Sequence, residues 1–132
     1  MSSVPPFRDL LWVFLAGGAG ATLRVALVPV LDKRLHGWLP FGGTLVVNLI
    51  GCLAIGVLTI VLAPGSLRPI LLGGLLGGFT TYSAFGLLSW ELLEQGKRGA
   101  FAGQIALHVL GGLACVWLGL MVGRMLVPEG RL

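Results

Sequence analysis

The chain has 132 residues, of which 56% are hydrophobic and only 11% charged, with a mean hydropathy of +0.97. That balance excludes an ordinary soluble domain and points to an integral membrane protein. The formal net charge of +4 does not argue for nucleic acid: no basic run exceeds two residues, and the charges sit at the ends of apolar segments, where they anchor helices at the membrane interface.

A helix needs roughly 20 apolar residues to cross a bilayer, and four such segments fill the chain: 10–30, 41–62, 67–93 and 100–127. The clusters Asp32-Lys33-Arg34, Ala63-Pro64-Gly65-Ser66 and Glu94-Gln95-Gly96-Lys97-Arg98 separate them. The expected architecture is one all-α integral membrane domain over 1–132, with four transmembrane helices and both termini on one side. In the first segment, Arg8 and the small residues Gly17 to Ala21 mimic a secretory signal. Apolar character continues past Arg24 to Val30, so a retained helix is expected. Arg24 itself either snorkels to the interface or lines a charged vestibule, and both placements raise the local potential for anions.

The second segment carries Asn48, with two amide donors and one carbonyl to satisfy. It either bonds to a neighbouring helix or lines a pore. Cys52 here and Cys115 in the fourth segment stand apart from any metal-ligating neighbours and read as buried thiols.

The third segment holds the run Gly77-Gly78-Phe79-Thr80-Thr81-Tyr82-Ser83-Ala84-Phe85. A polar, glycine-rich interruption at bilayer depth survives only where protein or a water-lined cavity satisfies the backbone. The third helix is therefore expected to break mid-membrane near 77–81, freeing carbonyl oxygens that attract a cation. On a two-fold axis, both chains would offer carbonyls to one desolvated monovalent ion. Tyr82 and Phe85 follow at three-residue spacing and share a helix face. Their electropositive ring edges suit contact with an anion; ordinary aromatic packing is the plainer reading.

The fourth segment contributes His108, either a proton-sensitive ligand or a helix-contact histidine. Among the 22 glycines, Gly73 with Gly77, Gly74 with Gly78, and Gly119 with Gly123 have the four-residue spacing that lets helix backbones approach closely, within and between protomers.

Arg8, Arg68, Arg124 and Arg131 fall on one side, and Lys33, Arg34, Lys97 and Arg98 on the other. Such balance suits copies that insert both ways up and pair as an antiparallel dimer, although short loops also leave little signal. Asp9, Asp32, Glu91, Glu94 and Glu129 all lie at segment ends or in loops. No carboxylate is placed for proton-coupled export, which weighs against a small dual-topology multidrug exporter. No nucleophile with a base, paired carboxylates or His/Cys/Asp cluster supports an enzyme.

Three stretches, one per segment and in order, carry a resemblance: Gly17-Gly18-Ala19-Gly20-Ala21-Thr22-Leu23-Arg24, Gly43-Thr44-Leu45-Val46-Val47-Asn48-Leu49-Ile50-Gly51 and the Gly77 to Phe85 run. Together they resemble the Fluc, or CrcB, family of small fluoride channels. The resemblance implies an antiparallel dual-topology homodimer of four-helix subunits in the bacterial inner membrane, with two fluoride pathways and a structural sodium ion at the dimer centre. It implies sodium held by the backbone carbonyls of Gly77 and Thr80, and a fluoride path using Asn48, Tyr82 and Phe85, with Arg24 near a vestibule. Ser83 and His108 are added as path candidates on their side-chain chemistry. The implied activity is passive exit of toxic cytoplasmic fluoride. Two departures stand out. Tyr82 replaces the family's usual Phe, and the fourth helix's usual hydroxyl track corresponds here to Gln104, His108, Gly112 and Val116. These leave a non-conducting or heterodimeric subunit as an alternative.

Overall fold

The computed structural model describes residues 6–36, 39 and 41–127, and among these it is helical without strands. Four helices are long and apolar enough to cross a membrane: Phe7–Leu35, Gly42–Val61, Pro69–Glu94 and Arg98–Leu126. Arg131 and Glu129, used above in the charge count, lie outside the described residues.

The second helix matches its expected bounds within one residue, but the first is longer than expected. Asp32, Lys33 and Arg34, read as a connection, are helical. The Asp32 carboxylate accepts the Gly43 N–H at 2.7 Å, which ties this charged turn to the start of the second helix. Lys33 and Arg34 face the negative end of the helix dipole, a favourable place for cations. Charge thus marks the membrane interface, and winding continues through it. Pro29 sits inside this helix and removes one donor from its ladder.

The turn from the third to the fourth helix is set by Gly96, at φ 70°. Its N–H donates to Leu93 O, and Lys97 N–H donates to Leu92 O, the paired bonds that close a helix at a left-handed glycine.

Glycines set the packing. A side chain on Gly119 would strike Leu53 O and the Gly56 backbone, and one on Gly123 would strike Ile60 and Val57 O. Gly78 and Gly74 approach Gly17 and Val13 of the first helix in the same way. Rising residue numbers meet rising residue numbers in both cases, so the first and third helices run parallel, as do the second and fourth. Arg8, Arg68 and Arg124 consequently gather at one end, and Lys33, Arg34, Lys97 and Arg98 at the other. Gly73 has open space where a Cβ would stand, and Gly77 meets only Leu72 O of its own helix, so this pair packs no helix of the same chain.

The buried core is small: Phe41, Leu45, Val47, Leu76, Phe79, Phe85 and Leu92. Trp12, Trp90, Trp117 and many leucines face outward. Water would penalise such a surface, whereas lipid tails are as apolar as the side chains themselves.

Candidate functional site

The site is built where the third helix changes course. Winding over Pro69–Leu76 is wide, of the π type, and continues through the helical turn Gly77–Phe79. Thr80 (ψ 160°) and Thr81 (φ −149°, ψ 114°) are extended, and helix resumes over Tyr82–Glu94. The non-helical residues are the two threonines, and Gly77 keeps helical angles.

Local chemistry explains why the chain turns there. Thr80 keeps both its N–H and its hydroxyl on Leu76 O, at 2.9 Å each, closing the first half. The Thr81 hydroxyl accepts the Ala84 N–H at 3.2 Å and so caps the second half, the role short hydroxyl side chains fill at helix starts. Gly51 of the second helix leaves room for the Thr80 methyl, which a side chain there would strike.

Asn48 holds the extended peptide at both ends. Its Nδ2 donates to Thr81 O at 3.1 Å, and its Oδ1 accepts Thr81 N–H at 2.8 Å. In a continuous helix that N–H would donate to the Gly77 carbonyl, four residues earlier. Gly77 O therefore loses its ladder partner. The Gly78 carbonyl instead accepts a hydrogen bond from Arg24 Nε at 3.2 Å. Of the two placements considered for Arg24, neither describes this bond, in which the guanidinium braces the turn from the first helix.

Beside the extended threonines lies a cavity of about 330 Å³ whose lining includes Asn48, Thr80, Tyr82, Phe85 and His108. The Tyr82 and Phe85 rings are 5.5 Å apart, and Phe85 lies 4.5 Å from the His108 ring, so three rings run in sequence along one wall. Gly77 also reaches this cavity, while Ser83 and Arg24 do not line it. Ser83 instead shares a 3.2 Å hydroxyl contact with Thr81. The cavity joins four of the six anion-path candidates.

Sequence reasoning missed how Phe85 is held. Gln104 is fully buried, and its Nε2 donates to Phe85 O at 3.1 Å and to Ser89 Oγ at 3.0 Å. Ser89 donates to the same Phe85 carbonyl at 2.7 Å. Gln104 thus spends its donors across the helix pair, away from the cavity. The available cue was Ser89, one helical turn after Phe85 on a shared face. A second missed bond joins Arg68 Nη2 to Thr59 O at 2.7 Å, tying the start of the third helix to the second.

The family model described as CrcB-like protein, Camphor Resistance (CrcB), matches residues 11–120. The chain belongs to the CrcB family. Relatives of this family are similar along nearly their whole length. A Paracoccus denitrificans protein named fluoride-specific ion channel FluC is 44% identical over 120 residues, covering 89% of this chain and 95% of its own. Proteins of the same name from Nitratidesulfovibrio vulgaris and Chloroflexus aurantiacus are 41% and 36% identical, covering 84% and 89% of this chain and 93% and 96% of theirs. The three motifs that carried the resemblance all fall inside the matched CrcB region, and the four apolar helices fit a multi-pass membrane protein.

Proposed function

We propose that this chain is a passive, fluoride-selective channel that lets cytoplasmic fluoride leave the cell, working in the bacterial inner membrane as an antiparallel, dual-topology homodimer. The observation that carries the reading is the two-point grip of Asn48 on Thr81, beside a cavity walled by aromatic rings. It supports a fixed polar turn at membrane depth, of the kind that bilayers tolerate only around a cavity. The names of the relatives supply the ion. Hydrofluoric acid is weak, so its neutral form enters from acid surroundings and dissociates inside. A leak that passes fluoride alone relieves this load without discharging the membrane through chloride.

Selectivity rests on a narrow path in which Asn48, the Tyr82 or Ser83 hydroxyl, His108 and the ring edges of Tyr82 and Phe85 replace hydration. Arg24 acts indirectly, by fixing the turn and adding positive potential near the path. A structural sodium ion is expected at the dimer centre. The donor chemistry fits: Gly77 O is released by the Asn48 bond to Thr81 N–H, and carbonyl oxygens are the hard ligands an alkali cation takes. Gly77 and Thr80 of each copy would hold the ion, which would neutralise carbonyl dipoles crowded at the two-fold axis. The near-equal basic ends of the bundle support insertion both ways up.

One observation favours a second reading, a subunit supplying only part of a path. Gln104 is turned onto Phe85 O and Ser89, and Gly112 carries no side chain to extend a polar track. The test is fluoride efflux from liposomes holding the purified protein, read with a fluoride-selective electrode without a proton gradient. Fluoride-selective efflux supports the homodimeric channel. Silence from folded, dimeric protein supports the partial subunit.

A further inference from the structure

His108 occupies a place its neighbours do not explain. It sits in the wide winding Leu107–Gly111, a local departure from α-helix of the kind often found at functional positions. Its Nδ1 lies 3.0 Å from Gln104 O. A carbonyl only accepts, so Nδ1 carries the proton and the neutral ring leaves a bare lone pair on Nε2. That Nε2 is buried and has no hydrogen-bond partner among the described residues. Buried polar atoms usually find partners, and an orphan on a cavity wall asks for one.

We propose that His108 is a proton-controlled anion ligand of the cavity, offering a lone pair when neutral and an Nε2–H donor when protonated. The inference rests on the channel reading and adds its regulation. The Nε2 lone pair takes a proton from hydronium, releasing water, and the new N–H bond donates to the fluoride ion. Proton and anion then enter the site together, so each strengthens binding of the other. The neighbouring groups do not pre-empt this. Second-helix Cys52 and third-helix Tyr82 are the titratable side chains that share the cavity wall with His108, Cys115 lies on its own helix, and no Asp, Glu, Lys or Arg lines the cavity. The charge of a protonated ring is therefore left for the anion. Phe85, its ring centred 4.5 Å away and tilted by 37°, packs against the imidazole.

The test measures fluoride efflux from liposomes with equal pH on both sides, at pH 5.5, 6.5 and 7.5, after subtracting the leak of protein-free liposomes. Protonation of the ring adds an Nε2–H donor and a positive charge to the cavity wall, so efflux should rise on acidification, by up to about ten-fold across this range. His108→Ser should give efflux that is flat with pH. Nitrogen NMR of histidine-labelled protein in liposomes gives a readout free of flux: fluoride, and not chloride, should convert His108 to imidazolium at pH 7. Efflux that is flat with pH in the unmodified protein, pH dependence that survives His108→Ser, or a ring unmoved by fluoride would each overturn the inference and leave the channel reading standing. Absence of efflux at every pH from folded dimer would overturn both.

Discussion

Asn48 binds one peptide twice: Nδ2 donates to the Thr81 carbonyl at 3.1 Å while Oδ1 accepts the Thr81 N–H at 2.8 Å. A side-chain amide presents a donor and an acceptor side by side, so the two bonds together set its orientation. The extended threonines are thereby held by the second helix, while Arg24 holds the preceding Gly78 carbonyl from the first.

The first prediction follows from that amide. Asn48→Asp keeps the size but replaces the donor with a charged acceptor facing a carbonyl, and Asn48→Ala removes both bonds. Interhelical hydrogen bonds in membranes average about 0.6 kcal/mol each, so Asn48→Ala should cost about 1–2 kcal/mol in thermal unfolding while still yielding folded dimer. Fluoride efflux should fall at least a hundred-fold in both variants. Efflux within three-fold of the parent would remove Asn48 from the path.

The second prediction concerns the aromatic wall. The Tyr82 side chain is exposed in the single chain, and its ring, rather than its hydroxyl, meets Phe85. Tyr82→Phe should therefore keep efflux within about three-fold, because the ring edge is retained. Phe85→Ala should abolish efflux, since it removes the middle ring of three and opens a buried cavity costing about 3–5 kcal/mol. The comparison uses electrode-measured efflux alongside size-exclusion profiles of each variant.

A third prediction tests the packing. Gly119→Ala places a methyl against Leu53 O and the Gly56 backbone, atoms that cannot swing aside. Overpacking of this kind costs about 1–3 kcal/mol and should lower the melting temperature or the yield of folded protein. Gly103→Ala meets nothing within 4 Å and should melt within a degree or two of the parent. Equal behaviour of the two variants would contradict the close crossing of the second and fourth helices.

Much of this was legible in the sequence because lipid imposes simple rules. The length of each apolar segment pointed to the helices, and the run of glycines and hydroxyls pointed to a break near 77–81, of which the extended residues are Thr80 and Thr81. What stayed hidden depended on which residues meet across helices. Arg24 was open to two readings, snorkelling to the interface or lining a charged vestibule, and nothing in its own segment announces the Gly78 carbonyl it reaches. Gln104 stood out only as a departure from a hydroxyl track on the fourth helix, and nothing in its own segment announced that its amide would bond Phe85 O and Ser89. The Gly73 and Gly77 pair was read as packing helices within or between protomers. Within one chain a Cβ on Gly73 would meet nothing and one on Gly77 only Leu72 O of its own helix, so the pair contacts no other helix of this chain.

The last prediction separates stability from conduction at a charged residue. Asp32 lies in the last turns of the first helix, and its carboxylate accepts the Gly43 N–H at the start of the second. It does for Gly43 what a capping side chain does for an unpaired helix-start donor, although it comes from a different helix. Removing such a cap costs about 1 kcal/mol. Asp32→Asn keeps an acceptor oxygen and should lose little, whereas Asp32→Ala should lower thermal stability by that amount. Neither change touches the cavity, whose lining does not include Asp32. Fluoride-to-chloride selectivity of the folded fraction should therefore stay the same in both, measured by parallel electrode recordings. Altered selectivity in Asp32→Ala would mean that the join between the first two helices shapes the path as well as the fold.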